Sequence, residues 1–200
     1  MSGEKTPTGG RDARPTHGSS LGEGRCGTNA AGPQSAPNVP EREFGLRIGQ
    51  DGTWYYHDSP IRRAPMVKLF ASVLWREADG SYWLVTPAER GRIAVEDVPF
   101  IAVAMEVEGG GRTQILSFRT NVDDRVEADE SHPLRIVTDP RTGEPSPYLL
   151  VRPGLEARLA RPVFYQLVDL GAEETIDGVP SFGVWSSGKF FPLSDPITAG

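Results

Sequence analysis

Residues 100–120 carry the clearest structural signal in the sequence: FIAVAMEVEGGGRTQILSFRT. Two apolar segments, Phe100–Val107 and Thr113–Thr120, flank the loop Glu108-Gly109-Gly110-Gly111-Arg112. A glycine loop between segments rich in β-branched and aromatic residues is typical of a β-hairpin. The sequence therefore predicts an antiparallel sheet that extends outward from this hairpin.

Further strands are predicted on both sides of the hairpin. Gln50-Asp51-Gly52 is a turn signal between Leu46-Arg47-Ile48 and Thr53-Trp54-Tyr55-Tyr56, which indicates a second hairpin. A last hairpin is predicted in 181–192, around Ser187-Gly188. The remaining predicted strands are 81–86, 92–95, 134–138 and 148–151.

Two helices are predicted. Ala64-Pro65 begins the first, since proline suits the first helical position, and it is expected to end at Asp79-Gly80. Its apolar residues recur at helical spacing: Met66, Leu69, Phe70, Val73 and Leu74. Pro153 begins the second helix, which runs to about Leu170 and which Pro162 either kinks or restarts. These elements indicate an α+β fold with two helices packed on antiparallel sheet.

A weak internal repeat predicts two related halves. Residues 46–65 and 134–153 share five identities in 20 positions at an offset of 88. We therefore expect an N-terminal α+β half over residues 44–120 and a C-terminal α+β half over residues 121–200. A cleft between two packed halves is a favoured place for a ligand.

Composition excludes several classes of protein. The 200 residues include 21 Lys and Arg, 27 Asp and Glu, and a single cysteine. A single cysteine excludes an internal disulfide, so we expect a cytoplasmic protein. The first ten residues lack the apolar core of a secretory signal, and no run approaches the ~18 apolar residues of a membrane span. The formal charge of −6 argues against binding to duplex nucleic acid.

Residues 1–43 are expected to form a disordered tail. Residues 1–40 contain eight glycines, five prolines and eight serines or threonines, but no aromatic residue. Such a segment cannot bury enough apolar surface to offset its chain entropy. Cys26 and His17 lie in this tail without a second ligand nearby, so we interpret them as incidental rather than as a metal or redox site.

The order of motifs resembles the bacterial domain-of-unknown-function family 1285. The segments that carry the resemblance are 51–56, 59–61, 69–74, 82–89, 95–100, 120–121, 132–135, 147–152 and 154–158. The resemblance covers about residues 44–193 and implies two related α+β halves, the second loosely like a pleckstrin-homology fold. It also implies a site at their junction for a nucleotide-like ligand and a role in signalling. No activity is established for that family.

No complete catalytic or metal-binding set is found, so we expect a non-enzymatic protein without cofactors. Gly183–Lys189 fits a phosphate-binding loop, but Phe190 stands where Ser or Thr is required. The acidic loop that begins at Asn121 lacks the glycine and glutamate of a calcium loop. His57 and His132 are candidate general bases, although lone histidines more often make structural hydrogen bonds.

Glu96-Asp97 is the most informative acidic pair. Adjacent side chains of an extended segment point to opposite faces, so one carboxylate is expected to be buried and to need a cationic partner. The available arginines are Arg90, Arg92, Arg62, Arg63 and Arg152. The pair either forms structural salt bridges that join the two halves or lines a ligand cleft.

Arginines beside predicted helix starts are the strongest functional clue. Arg62 and Arg63 precede the first helix, Arg152 precedes the second, and Arg158 and Arg161 follow within it. Arginine and a helix N-terminus both favour an anion, and nearby aromatic side chains could stack on a base. The candidate ligand-binding residues are Arg62, Arg63, Arg90, Arg152, Arg158, Trp54, His57, Glu96, Asp97, Asn121 and His132.

Two functional hypotheses follow from these residues. The first is a ligand-binding or signalling module that holds an anionic, nucleotide-like molecule between its halves. The alternative is a protein–protein interaction module without a small-molecule ligand. The first hypothesis requires arginines that converge on a cleft, whereas arginines that each pair with one carboxylate favour the second.

Overall fold

The computed structural model describes residues 40–176 and 178–193. The fold is α+β and dominated by sheet, with two α-helices among the described residues. The strands of the first sheet are β1 (Glu41–Ile48), β2 (Trp54–Tyr56), β3 (Ser59–Pro60), β4 (Leu74–Arg76), β5 (Tyr82–Val85) and β6 (Arg90–Val95). Helix α1 (Ala64–Ser72) separates β3 from β4 in the chain.

The second sheet follows directly. Its strands are β7 (Phe100–Glu108), β8 (Ile115–Thr120), β9 (Arg125–Glu127), β10 (Leu134–Thr138), β11 (Pro145–Arg152) and β12 (Leu155–Leu159). Helix α2 (Arg161–Asp169) and a three-stranded sheet complete the fold; the strands of this third sheet are β13 (Ala172–Ile176), β14 (Val179–Ser186) and β15 (Lys189–Pro192). No described helix is long and apolar enough to cross a membrane.

The two six-stranded sheets have the same topology. The first has the order β3-β2-β1-β6-β5-β4, and the second, read from β9, has the order β9-β8-β7-β12-β11-β10. The strand that comes first in the chain and the strand that comes last lie side by side at the centre of each sheet. These central pairs, β1 with β6 and β7 with β12, are parallel, while the other pairs are antiparallel. Each sheet therefore consists of two antiparallel three-stranded units joined through a central parallel pair.

The shared topology shows that the two sheets are the repeated units, and this corrects the predicted alignment of 46–65 with 134–153. Residues 46–48 lie on the central strand β1, whereas their sequence matches 134–136 lie on the edge strand β10. The predicted boundary at 120/121 falls between β8 and β9, which pair within the second sheet, as β7 and β8 also do. The sheets change over between Val95 and Phe100, so equivalent strands lie in 41–95 and 100–159.

The predicted hairpins are confirmed. Glu108 pairs with Ile115 across the glycine loop, Ile48 pairs with Trp54, and Ser186 pairs with Lys189. The short strands β3, β4, β9 and β13 are not predicted from the sequence. The sheet also begins earlier than expected: Glu41 pairs with Arg90, so residues 41–43 belong to β1 rather than to a tail. Cys26 and His17 lie outside the described residues.

Both helices are shorter than predicted. Helix α1 ends at Ser72, because Leu74 is buried in β4. Residues 155–159 form a strand and not a helix: Leu155, Ala157 and Leu159 are buried in alternation, at the period of a strand. Helix α2 begins at Arg161 with Pro162 in its first turn, so Pro162 starts a new segment.

The buried side chains form one continuous hydrophobic cluster. Its largest fully buried members are Trp54, Phe100, Phe118, Ile48, Leu116, Leu149, Leu167 and Val184. These residues come from all three sheets and from α2. The sheets are therefore packed on a shared core.

Substitution of Phe118 tests this packing. Phe118→Ala should lower the free energy of unfolding by about 3–5 kcal/mol, because it removes a fully buried ring and leaves a cavity. The neighbouring Arg119→Ala, which removes only a surface ion pair with Asp123, should cost about 0–1 kcal/mol. Urea unfolding measures both; equal losses in the two variants would contradict the assignment of Phe118 to the core.

Candidate functional site

Glu96 lies in the connection between the two six-stranded sheets and binds the first sheet. The Glu96 carboxylate lies 3.0 Å from Nη1 of Arg47, and its second oxygen accepts a hydrogen bond from the backbone N–H of Gln50 at 3.0 Å. Arg47 lies on β1 and Gln50 in the β1–β2 turn. Glu96 therefore binds the end of the first sheet at which β1 and β6 pair.

The next residue, Asp97, holds the second sheet. The hydroxyl of Tyr148 donates to Oδ1 of Asp97 at 3.1 Å, and Nη1 of Arg158 lies 3.2 Å from Oδ2. Tyr148 and Arg158 are direct neighbours on β11 and β12. The two carboxylates bind different sheets and form salt bridges, which is one of the two predicted alternatives, and neither partner is one of the predicted arginines. Strand pairing places Arg47 and Arg158 beside the connection instead.

The β1–β2 turn, residues 49–52, is bound to the second sheet by two side chains. Nη2 of Arg158 donates to the carbonyl of Gln50 at 2.7 Å. The amide of Asn121 donates to the carbonyl of Gly52 at 3.2 Å and accepts from the backbone N–H of Ile101 at 3.0 Å. Asn121 and Arg158 therefore join the sheets rather than presenting free donors to a ligand.

Gly52 allows the β1–β2 turn to lie close to the second sheet. Its φ is +78°, and a Cβ at this position would lie 2.7 Å from Cγ1 of Ile101 and 2.9 Å from Nδ2 of Asn121. The left-handed backbone and the close contact both require glycine.

A cleft of about 660 Å³ lies where the two sheets and α2 meet. One wall is the turn with Gln50 and Asp51, and the opposite wall is the β10–β11 turn with Asp139 and Glu144. Its remaining lining residues include Ile101, Ser146, Pro147, Arg158, Leu159, Ala160, Arg161, Phe164 and Tyr165. A smaller cleft of about 340 Å³ lies beside Arg47, Tyr55 and Glu96. Arg158 and the β1–β2 turn line both clefts.

The larger cleft combines cationic, aromatic and acidic groups. Arg158 and Arg161 contribute guanidinium groups, and Tyr165 presents a ring that is 61% exposed. Arg161 pairs with Glu144, but both side chains are exposed, so this ion pair is weak and either partner can exchange. The cleft can therefore offer a guanidinium group and an aromatic surface at the start of α2.

Asp51 is held in its ionised form at the edge of this cleft. The backbone N–H of Thr53 donates to Oδ1 at 3.0 Å and the Thr53 hydroxyl donates to Oδ2 at 2.8 Å. These hydrogen bonds lower the pKa of Asp51 below its ordinary value of 3.8. Asp139, on the β10–β11 turn, accepts a hydrogen bond from the backbone N–H of Arg141 at 2.7 Å.

Several predicted site residues lie away from both clefts. Trp54 is buried and packs against Phe70, with ring centroids 6.0 Å apart. His57 lies in the β2–β3 turn with its ring 4.4 Å from that of Tyr56. Arg62 and Arg63 are exposed at the start of α1. These four residues do not converge on a common ligand.

Three others have structural partners. Arg90 pairs with Glu41 and Glu77 and lies over the ring of Trp83. Arg152 donates to the carbonyl of Ala71 and to Asp124, both at 3.1 Å. His132 lies 3.2 Å from Asp129 through Nδ1. No cluster of three or more His, Cys, Asp or Glu side chains suited to a metal occurs in the described part of the chain.

Sequence reasoning missed most of the cleft walls. Phe164, Tyr165 and the β10–β11 turn reach the cleft only because 155–159 is a strand and α2 begins at Arg161. The sequence signal for the true start of α2 is Arg161-Pro162, since proline favours the first turn of a helix.

Comparison with known proteins places the chain in a family. The model of the N-terminal domain of the family described as a domain of unknown function (DUF1285) matches residues 36–98, and the model of its C-terminal domain matches residues 99–193. The chain belongs to the DUF1285 family. The models meet at 98/99, within the connection that links the two six-stranded sheets.

The chain is similar to two solved structures of DUF1285 family proteins. A DUF1285 family protein from Silicibacter pomeroyi DSS-3 is 49% identical, with a TM-score of 0.73 over 80% of this chain and 85% of that one. A DUF1285 family protein from Shewanella baltica OS155 is 28% identical, with a TM-score of 0.49 over 62% of this chain and 91% of that one. No curated protein matches the sequence significantly.

Gly52→Ala tests the contact between the β1–β2 turn and the second sheet. It should lower the free energy of unfolding by about 1–3 kcal/mol, because an alanine at positive φ is strained and its methyl group meets Ile101. Gly110→Ala is the control, since Gly110 has φ −167° and open space around it. Thermal and urea unfolding measure both, and equal stability of the two variants would refute the close approach.

Tyr148→Phe tests the Asp97 contact through its pH dependence. Burial, reinforced by the negative charge of Asp97, raises the pKa of Tyr148 above its ordinary value of 10.0. Because the neutral phenol is favoured in the folded state, its contribution is present below pH about 10 and is lost as the pH rises through the raised pKa. The stability difference between the natural protein and Tyr148→Phe should therefore shrink above pH about 10.

Urea unfolding from pH 7 to 11, with absorbance titration of the tyrosines, measures this effect. A difference in stability that stays constant above pH about 10 would contradict the raised pKa.

Proposed function

We propose that this DUF1285 protein is a cytoplasmic, non-enzymatic ligand-binding or signalling module whose small anionic, nucleotide-like ligand binds in the cleft of about 660 Å³. The observation that carries the proposal is the meeting of the weakly paired Arg161 and the exposed ring of Tyr165 at that cleft. The pleckstrin-like second half and the role in signalling, which the resemblance implies, are retained as parts of this proposal.

The anionic group would bind at Arg161. This guanidinium is engaged only by a weak, exposed ion pair with Glu144, which a phosphate or carboxylate can replace with two hydrogen bonds. Ala160, the N-cap of α2, has no side-chain hydrogen bond to the first turn. Backbone N–H groups of this turn and the helix dipole add to the attraction for an anion.

The ring of the ligand would pack on Tyr165 and Phe164. Both line the cleft, and stacking of a flat base on such rings is worth about 1–3 kcal/mol. The cleft volume lies within the range of about 300–1,000 Å³ that small-molecule sites occupy.

Acidic side chains narrow the class of ligand. Asp51, Asp139 and Glu144 line the same cleft, so a ligand with only anionic groups would be repelled. A molecule that also carries hydroxyl or amino donors can satisfy these carboxylates. A nucleotide-like ligand has both kinds of group.

The positions of the histidines support binding rather than catalysis. Neither His57 nor His132 lines either cleft, and a general base must lie within hydrogen-bond reach of the reacting group. The single cysteine of the chain supports a reducing compartment.

A ligand screen tests the proposal on the full chain. We expect one or more members of a panel of nucleotides, cyclic and linear dinucleotides and phosphosugars to raise the melting temperature by several degrees at about 100 times the Kd. Calorimetry should then show at least about a tenfold loss of affinity in Arg161→Ala and in Tyr165→Ala. Both side chains are exposed, so the variants should remain folded.

Arg125→Ala and Tyr56→Ala are the matched controls. Arg125 is exposed and pairs with Glu106, and Tyr56 is 53% exposed, but neither lines the cleft. Both variants should bind as the natural protein does. A panel without a stabilising compound, or binding that survives both cleft substitutions, would overturn the proposal and favour the protein-interaction module.

A further inference from the structure

Helix α1 exposes apolar side chains on its outer side. Leu69 is 62% exposed and Met66 is 44% exposed, and Ala71 is the only fully buried residue among the nine of the helix. Val67 and Phe70 pack on the core from the other side. Surface helices usually turn a single apolar stripe toward the core, so α1 has a second apolar side without a partner among the described residues.

Tyr56 extends this exposed area. Trp54 and Tyr56 lie two residues apart on β2, so their side chains share one face of the sheet. Trp54 packs against Phe70 of α1, which places Tyr56 on the same side as the helix. The α1 surface is defined here as Tyr56, Met66 and Leu69 with the arginines that begin the helix, Arg62 and Arg63.

Arg62 and Arg63 add two charges that are not neutralised. Both are exposed, and neither forms an ion pair with any residue that the structure describes. By contrast, Lys68 in the same helix pairs with Asp123. Arg63 is the N-cap of α1 and Arg62 directly precedes it, so both arginines stand at the start of the helix that carries Met66 and Leu69.

We propose that the α1 surface is a docking site for an acidic, apolar segment of another protein. Apolar side chains of the segment would cover Met66, Leu69 and Tyr56, and its carboxylates would meet Arg62 and Arg63. Charge complementarity of this kind sets the choice of partner, while the covered apolar residues supply most of the affinity.

The charges around the α1 surface favour an acidic, apolar segment over three other occupants: a membrane, a second copy of the chain and residues 1–39. Asp58, in the turn after Tyr56, and Asp123, which pairs with Lys68 of α1, are both exposed, so the surroundings of the α1 surface carry negative as well as positive charge, and this disfavours a uniformly anionic membrane. A second copy packed about a two-fold axis would bring the same arginines of both chains together. Residues 1–39 carry three acidic and four basic residues and no aromatic residue, so they do not complement a basic, apolar surface.

Synthetic peptide pools test the proposal on the full chain. One pool of peptides about 12 residues long combines leucine and phenylalanine with aspartate and glutamate; a second replaces the acidic residues by lysine and arginine, and a third replaces the apolar residues by serine. We expect binding only from the acidic, apolar pool, measured by fluorescence anisotropy. Backbone amide signals of residues 62–69 should shift on binding, and added salt should weaken it.

Two α1 variants and their controls locate the site. Leu69→Ser, and Arg62→Ala combined with Arg63→Ala, should each weaken binding at least about tenfold. Val137→Ser, and Arg125→Ala combined with Arg141→Ala, remove exposed groups elsewhere and should leave binding unchanged. All of these side chains are exposed, so the melting temperature should not change.

Three outcomes would overturn the proposal. The first is an acidic, apolar pool that does not bind, or that binds equally well to the α1 variants. The second is binding of the protein to phosphatidylglycerol–phosphatidylcholine vesicles, if Arg62→Ala combined with Arg63→Ala abolishes that binding. This result would assign the α1 surface to a membrane. The third is a dimer, seen by sedimentation, that Leu69→Ser dissociates. Arg161→Ala, in the cleft, should leave peptide binding unchanged, so failure at one site does not decide the other.

Discussion

Two neighbouring carboxylates, Glu96 and Asp97, bind the connection to both six-stranded sheets, which pack on one hydrophobic core. Successive side chains of an extended segment point to opposite sides, so one dipeptide can bind Arg47 of the first sheet and Arg158 of the second. Arg158 also binds the β1–β2 turn, which forms one wall of the larger cleft. Asp97 is mostly buried, and its hydrogen bond from Tyr148 and its ion pair with Arg158 fix the connection against the second sheet.

The arginines of this protein serve different purposes because their surroundings differ. Arg158 is partly buried and engaged by a carboxylate and a backbone carbonyl, so it is committed to structure. Arg161 is exposed and weakly paired, which leaves it available to a ligand in the cleft. Arg62 and Arg63 have no carboxylate partner among the described residues and lie beside exposed apolar side chains. The proposed ligand site and the proposed docking surface therefore use different arginines on different elements.

Local sequence patterns predicted the hairpins well and the second helix poorly. The glycine loop at 108–112 determines its own hairpin, because a turn and two flanking strands are local features. Residues 155–159 contain Leu, Glu, Ala and Arg, which all favour helices, yet they form a strand between β11 and β7. Pairing with two neighbours and burial of alternate residues outweigh the helical propensity of this segment.

The candidate site depends on contacts between residues far apart in the chain. From its residues alone, the chain specified an α+β fold, three hairpins, its family and the opposed carboxylates at 96–97. These features are encoded in turn residues, alternation and motif order, which are local. The partners Arg47 and Arg158, the shared topology of the sheets, and the meeting of Arg161 with Tyr165 at the cleft arose only from folding. Strand register across the central parallel pairs brings these side chains together, and no local pattern encodes that register.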